Sequence, residues 1–132
     1  MTKERRDRLT GVHPNLARKV ERILDAMLDL GFPMFITGGV RTTEAQQELY
    51  AQGRTKPGKI VTNADGILKK SNHQVAEDGF GHSVDLAFQG RSPWAESHPW
   101  TLYGTMAEAL GLYWGGRWPT LVDRPHISDR RG

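Results

Sequence analysis

Apolar residues recur at helical spacing most clearly between Pro14 and Leu30, where Leu16, Val20, Ile23, Leu24, Met27 and Leu28 form one stripe. Gly31 stands where a glycine ends a helix. This pattern predicts core scaffold with no chemistry of its own. Pro33–Thr37, PMFIT, is a short apolar run and predicts a buried strand. A second helix is expected from about Thr43 to Gln52, capped by Thr42 or Thr43 and closed by Gly53. Its Leu49 would face the core, and Tyr50 would join it or border a cleft. From Gly81 to Phe88 the period shortens to that of a strand. Val84, Leu86 and Phe88 then share one face, and Ser83, Asp85 and Ala87 the other. Thr101–Leu110 predicts a last helix, with Leu102, Met106, Ala109 and Leu110 apolar and Gly111 as its stop. Leu112–Trp114 reads as a strand entering the Gly115-Gly116 turn, and a final strand carries His126.

The connections are polar. Residues 1–12 carry mostly charge and read as a dispensable lead-in. Arg54–Lys70 reads as a long loop around a short strand at Ile60–Thr62, with Pro57-Gly58 as a turn. Long loops in compact domains are often functional. Gln89–Trp100 is turn-rich, with Trp94 and Trp100 either packing on the last helix or lining a groove. His13 and His98 each precede a proline and are expected at the surface. No repeat or linker appears, so residues 1–132 are expected to form one domain.

Composition excludes more than it assigns. Zero cysteines rules out disulfides and Cys-ligated metal. No apolar run approaches the length of a membrane span, and the charged start lacks a signal peptide's apolar stretch. The chain is therefore expected to be made in a cytoplasm, with no membrane partner and as a monomer. A net charge of +3 is ordinary at this size. Nucleic acid is not an expected partner, because the aromatics are not interleaved with basic residues as stacking platforms would be.

Two stretches hold the candidate chemistry: Ser71–Phe88, SNHQVAEDGFGHSVDLAF, and Val122–Ser128, VDRPHIS. His73, Asp85 and His126 offer the two imidazoles and one carboxylate that an open catalytic metal site needs, with a fourth position for water, although a lone His–Asp pair at this spacing is more often surface chemistry. Asp123, three residues before His126, is a carboxylate able to take a proton from that water. Asp85 points away from the apolar face of its strand. His82 falls on that face, which makes it the poorer ligand. Arg41 lies at a strand-to-helix turn, where a surface ion pair is the commoner fate.

Ser71-x-His73, Gly81-x-Ser83-x-Asp85 and Asp123-x-Pro125-His126 resemble the signature of the M15 metallopeptidases, S-x-H-x-x-G-x-A-x-D with a late D-x-P-H or E-x-x-H. The likeness runs in the family's order from about Phe35 to His126. Val40–Thr55, VRTTEAQQELYAQGRT, is similar to the family's R-[ST]-x-x-x-Q-x-x-L-Y-x-x-G-R block. Val61–Gly66, VTNADG, resembles the run before the Ser-x-His, and Gly111–Trp118, GLYWGGRW, the run before the last histidine.

The resemblance implies an α+β fold, shared by D-Ala-D-Ala peptidases and the Hedgehog signalling domain: a small antiparallel sheet, packed helices, and zinc in a cleft. It implies one zinc held by His73, Asp85 and His126, with Asp123 as general base. Arg41 would hold a substrate carboxylate or polarise a carbonyl, and Ser71 and Gln46 would assist substrate binding. The implied substrate is the peptidoglycan stem peptide. The absent signal and Asp123-x-x-His126 favour L-Ala-D-Glu endopeptidases of the phage endolysin kind, which reach the wall after release. D-Ala-D-Ala carboxypeptidase activity is the alternative, and a metal-containing binding module is the alternative of another class. The chain departs from the pattern in three places. Val75–Phe80 carries extra residues, including Glu77 and Asp78, read as a solvated rim loop. Ser83 replaces the usual alanine, and Ile127-Ser128 the usual aromatic–acidic pair.

Overall fold

The computed structural model describes residues 1–131. Strands β1 (Met34–Gly38), β2 (Ser83–Phe88), β3 (Tyr113–Trp114) and β4 (His126–Ser128) form one antiparallel sheet in the order β1-β2-β4-β3. Helices α2 (Pro14–Asp29) and α4 (Trp100–Ala109) pack on each other and close the core against the sheet. Two shorter helices, α1 (Lys3–Arg8) and α3 (Thr43–Ala51), complete the frame. Among the described residues, no helix is long and apolar enough to cross a membrane.

Helix α2 follows its pattern: Leu16, Val20, Ile23, Leu24 and Met27 are buried, while Leu28 lies outside the core. Pro14 occupies the first turn, where its missing N–H costs nothing. The His13 ring caps the helix by accepting from the Asn15 N–H. The stripe expected for α4 is corrected. Its buried face is Trp100, Tyr103, Gly104 and Ala107, whereas Leu102 and Ala109 are exposed. The cause is close packing: a Cβ on Gly104 would collide with the Trp114 indole. Small and aromatic residues therefore form the contact face. In α3 the buried residue is Gln46, and Leu49 is only half-buried.

Two further expectations fail. Residues 1–12 are not a loose lead-in. Their polar pattern conceals a docked α1, whose Arg5 pairs with Glu21 at 2.9 Å and Asp25 at 2.7 Å. Leu9 and Val12 behind it are buried in the core. Val12 bridges to Gly81, two residues before β2. No strand forms at Ile60–Thr62. That backbone is held by side chains instead: Gln52 donates to the Lys59 carbonyl, and Arg54 to the Thr62 carbonyl.

Candidate metal centre and cleft

Asp85 and His126 are direct register partners across β2 and β4, so their side chains leave the sheet on one face. Strand β2 also pairs with β1, where the register slips between Ile36 and Gly38. Gly38 then stands opposite Asp85, and its missing side chain leaves room for the carboxylate. His73 arrives from the loop and is pinned at three points. Its N–H donates to Ser71 Oγ (3.1 Å), its carbonyl accepts from the Arg41 N–H (2.7 Å), and its Nδ1 donates to the Gly39 carbonyl (2.9 Å). A carbonyl only accepts, so the proton sits on Nδ1 and the Nε2 lone pair is free.

That lone pair faces Asp85 Oδ1 at 3.3 Å, and His126 Nδ1 faces the same oxygen at 3.5 Å. On its other side, His126 Nε2 lies 3.4 Å from Ser83 Oγ, and the Trp118 ring packs on the imidazole. One donor atom from each of His73, Asp85 and His126 lies within 4.8 Å of the others. Asp85 Oδ1 is buried and makes no hydrogen bond. A buried carboxylate oxygen left unpaired is costly unless a cation completes it. Both histidines also use their outward ring nitrogens on protein oxygens, as metal-binding imidazoles do. Burial pushes the Asp85 carboxyl up, but the neighbouring His126 and His73 imidazoles more than offset this and hold it well below the usual carboxylate range. The residues fit a divalent cation with N and O ligands, and zinc among these.

Asp123 stands near this group through a turn. The His126 N–H donates to the Asp123 carbonyl (3.2 Å), and the Asp123 N–H to the Gly115 carbonyl (3.0 Å). Gly115 must lack a side chain, since a Cβ would strike the Asp123 carbonyl and crowd His126. Two buried aromatics fix the turn's intervening carbonyls. Trp114 Nε1 donates to Arg124 and the Tyr103 hydroxyl to Pro125, each at 2.7 Å. Burial and the Asp85 charge raise the pKa of Asp123, against the lowering pull of His126, His73 and Arg41.

Arg41 Nη2 lies 3.9 Å from Asp85 Oδ2, and its Nη1 donates to Gln46 Oε1 at 2.7 Å. Gln46 is fully buried, and its Nε2 donates to the Ala64 carbonyl and Thr62 Oγ1. Full burial leaves Gln46 no direct contact with substrate, so any help it gives to substrate binding goes through Arg41. Its amide instead joins Arg41 to the long loop. Ser71 caps the His73 turn and lines the adjoining cleft. Gln74 is a further site-building residue that the sequence reading missed. It is buried and links the Ser71 N–H to Thr43 and Gly66. An amide in a polar loop carries no periodic signal that would mark it. His82 lies outside the cluster, and both its ring nitrogens face carboxylates.

A His/Asp/His group, two of its members on adjacent strands and one on a loop, with a carboxylate beside it, is the arrangement of a metallopeptidase. A family model described as D-alanyl-D-alanine carboxypeptidase, one of the M15 peptidases, matches residues 67–129. The peptidoglycan L-alanyl-D-glutamate endopeptidase CwlK of Bacillus subtilis is 33% identical over 127 residues, spanning 89% of this chain and 72% of that one. The chain belongs to the M15 peptidase family.

Solved structures agree on the fold. The Serratia marcescens L-Ala D-Glu endopeptidase ChiX superposes with a TM-score of 0.66 at 24% identity, over 97% of this chain and 87% of that one. A variant of the vancomycin-resistance D,D-pentapeptidase VanY, in complex with Zn(II), gives 0.62 at 16% identity, over 89% and 71%.

Proposed function

We propose that the chain is a zinc-dependent endopeptidase that cuts the L-Ala–D-Glu bond of peptidoglycan stem peptides. The observation that carries this reading is the buried, unpaired Asp85 Oδ1 facing two imidazole nitrogens, in a chain similar to an enzyme of that name. His73 Nε2, Asp85 and His126 Nδ1 would hold the ion. Zinc bound there supplies a Lewis acid and lowers the pKa of its water from about 15.7 to about 7.

The protein's own groups do the rest. Asp123 takes the water's proton and returns it to the leaving amine, a role suited to a carboxyl whose pKa is already raised. Arg41 carries a forked cation over Asp85, placed to hold a substrate carboxylate or a developing oxyanion. Gln46 keeps that fork aimed. Ser71 presents a hydroxyl on the cleft wall.

The family model's description favours a second reading, removal of terminal D-Ala. Digestion of purified peptidoglycan with mass analysis separates the two. New N-terminal D-Glu is the expected product, and released D-Ala alone would replace the endopeptidase reading with the carboxypeptidase one.

A further inference from the structure

The groove beside the metal centre carries charge that bond cleavage does not require. A cavity of about 420 Å³ opens next to Ser71 and His126, a size typical of small-ligand sites. Trp118, Pro119 and Leu121 give it an apolar surface, and Lys69, Lys70 and Arg131 also line it. No Asp or Glu does. Among the described residues, none of these three cations forms an ion pair.

The backbone there is also unusual. Leu121 has φ of 50°, the one positive value among the described non-glycine residues. A branched side chain is strained in that region, and such strain collects at ligand clamps. The strained residue thus lines the groove itself, alongside Trp118 and Pro119.

Substrate chemistry gives this groove an occupant. A glutamate within a peptide continues the chain through one carboxyl and keeps the other free. In an L-Ala–D-Glu bond the glutamate supplies the leaving amine, so the free carboxylate lies on that side of the cut. We propose that Lys69, Lys70 and Arg131 form an anion subsite for this carboxylate, and that the leaving half of the stem peptide lies in this groove. The proposal rests on the endopeptidase reading and adds to it a direction and a preference.

The test uses two soluble peptides containing the L-Ala–D-Glu bond, one with the glutamate's free carboxylate and one with a carboxamide there. Calorimetry on the full chain should show the carboxylate peptide binding about five- to tenfold tighter, a preference that shrinks in high salt. The combined change Lys69→Gln, Lys70→Gln and Arg131→Gln should erase the preference, with the melting temperature unchanged. In turnover, the same change should raise KM for the carboxylate peptide and leave kcat near wild type. Equal binding of both peptides by the wild type, or a preference that survives the triple change, overturns the subsite. Equal cleavage of both peptides by the zinc-loaded wild type overturns the subsite alone. Cleavage of neither overturns the endopeptidase reading as well.

Discussion

Two imidazole–carboxylate clusters lie close together along this chain and are built in opposite ways. Around His82, both ring nitrogens meet carboxylate oxygens, Asp129 Oδ1 at 2.7 Å and Asp78 Oδ2 at 2.8 Å. Each ring nitrogen is already taken up by a carboxylate oxygen, so neither is left over for a cation. Around Asp85, the imidazole nitrogens stand off at 3.3 and 3.5 Å, and Oδ1 has no hydrogen bond. The first cluster is closed and needs nothing more. The second leaves lone pairs converging on one point, which is what a cation requires. Residue type alone does not separate them; the length and direction of each contact does.

The Val75–Phe80 loop is solvated, as expected, and the closed cluster adds a tether to it. Asp78 is bound by His82, and Glu77 pairs with Arg130 at 2.9 Å. The extra residues are thereby tied to the segment that follows β4.

The contrast can be broken from several sides. The largest effect is expected from Asp123→Asn, which keeps the side chain's shape but cannot take a proton. Steady-state rates should fall at least about 10²-fold while metal content stays level. Loss of the metal would show that Asp123 is a ligand. Deleting residues 1–12 comes next, because it exposes the surface that Leu9 and Val12 cover. Denaturant titration should show a loss of about 3–6 kcal/mol, at about 1.5–3 kcal/mol for each side chain. Unchanged stability would mean that α1 is not docked in solution.

His82→Ala should lower stability by removing a buried ring and its two hydrogen bonds, yet keep the metal. Metal loss in that variant would collapse the distinction between the clusters. Arg41→Lys should have the smallest effect, about tenfold or less in kcat/KM with stability near wild type, since charge remains and only the fork is lost. An equal fall in stability would make Arg41 a structural ion pair.

What was legible in the sequence follows the same line. His73, Asp85 and His126 could be picked out because few residue types ligate metal, and the strand period placed Asp85 off the apolar face. Helix α2 was legible because its stripe is strong and local. Asp123 was harder. On a regular strand it would point away from His126, and only the turn at Arg124-Pro125, fixed by Trp114 and Tyr103, returns it to the site. Neither donor is near it in sequence. The inward face of α4 was misread because Gly104 and Ala107 gain their meaning from Trp114. The docking of α1 rests on Arg5 reaching Glu21 and Asp25, pairs that no local pattern announces.

The central claim is that the open cluster, and not the closed one, holds the ion. Zinc stoichiometry of the purified wild type, Asp85→Ala and His82→Ala, measured by elemental analysis on folded protein, tests it directly. The expected result is about one zinc per chain in the wild type and in His82→Ala, and none in Asp85→Ala. Full zinc in Asp85→Ala, or its loss in His82→Ala alone, would contradict the account.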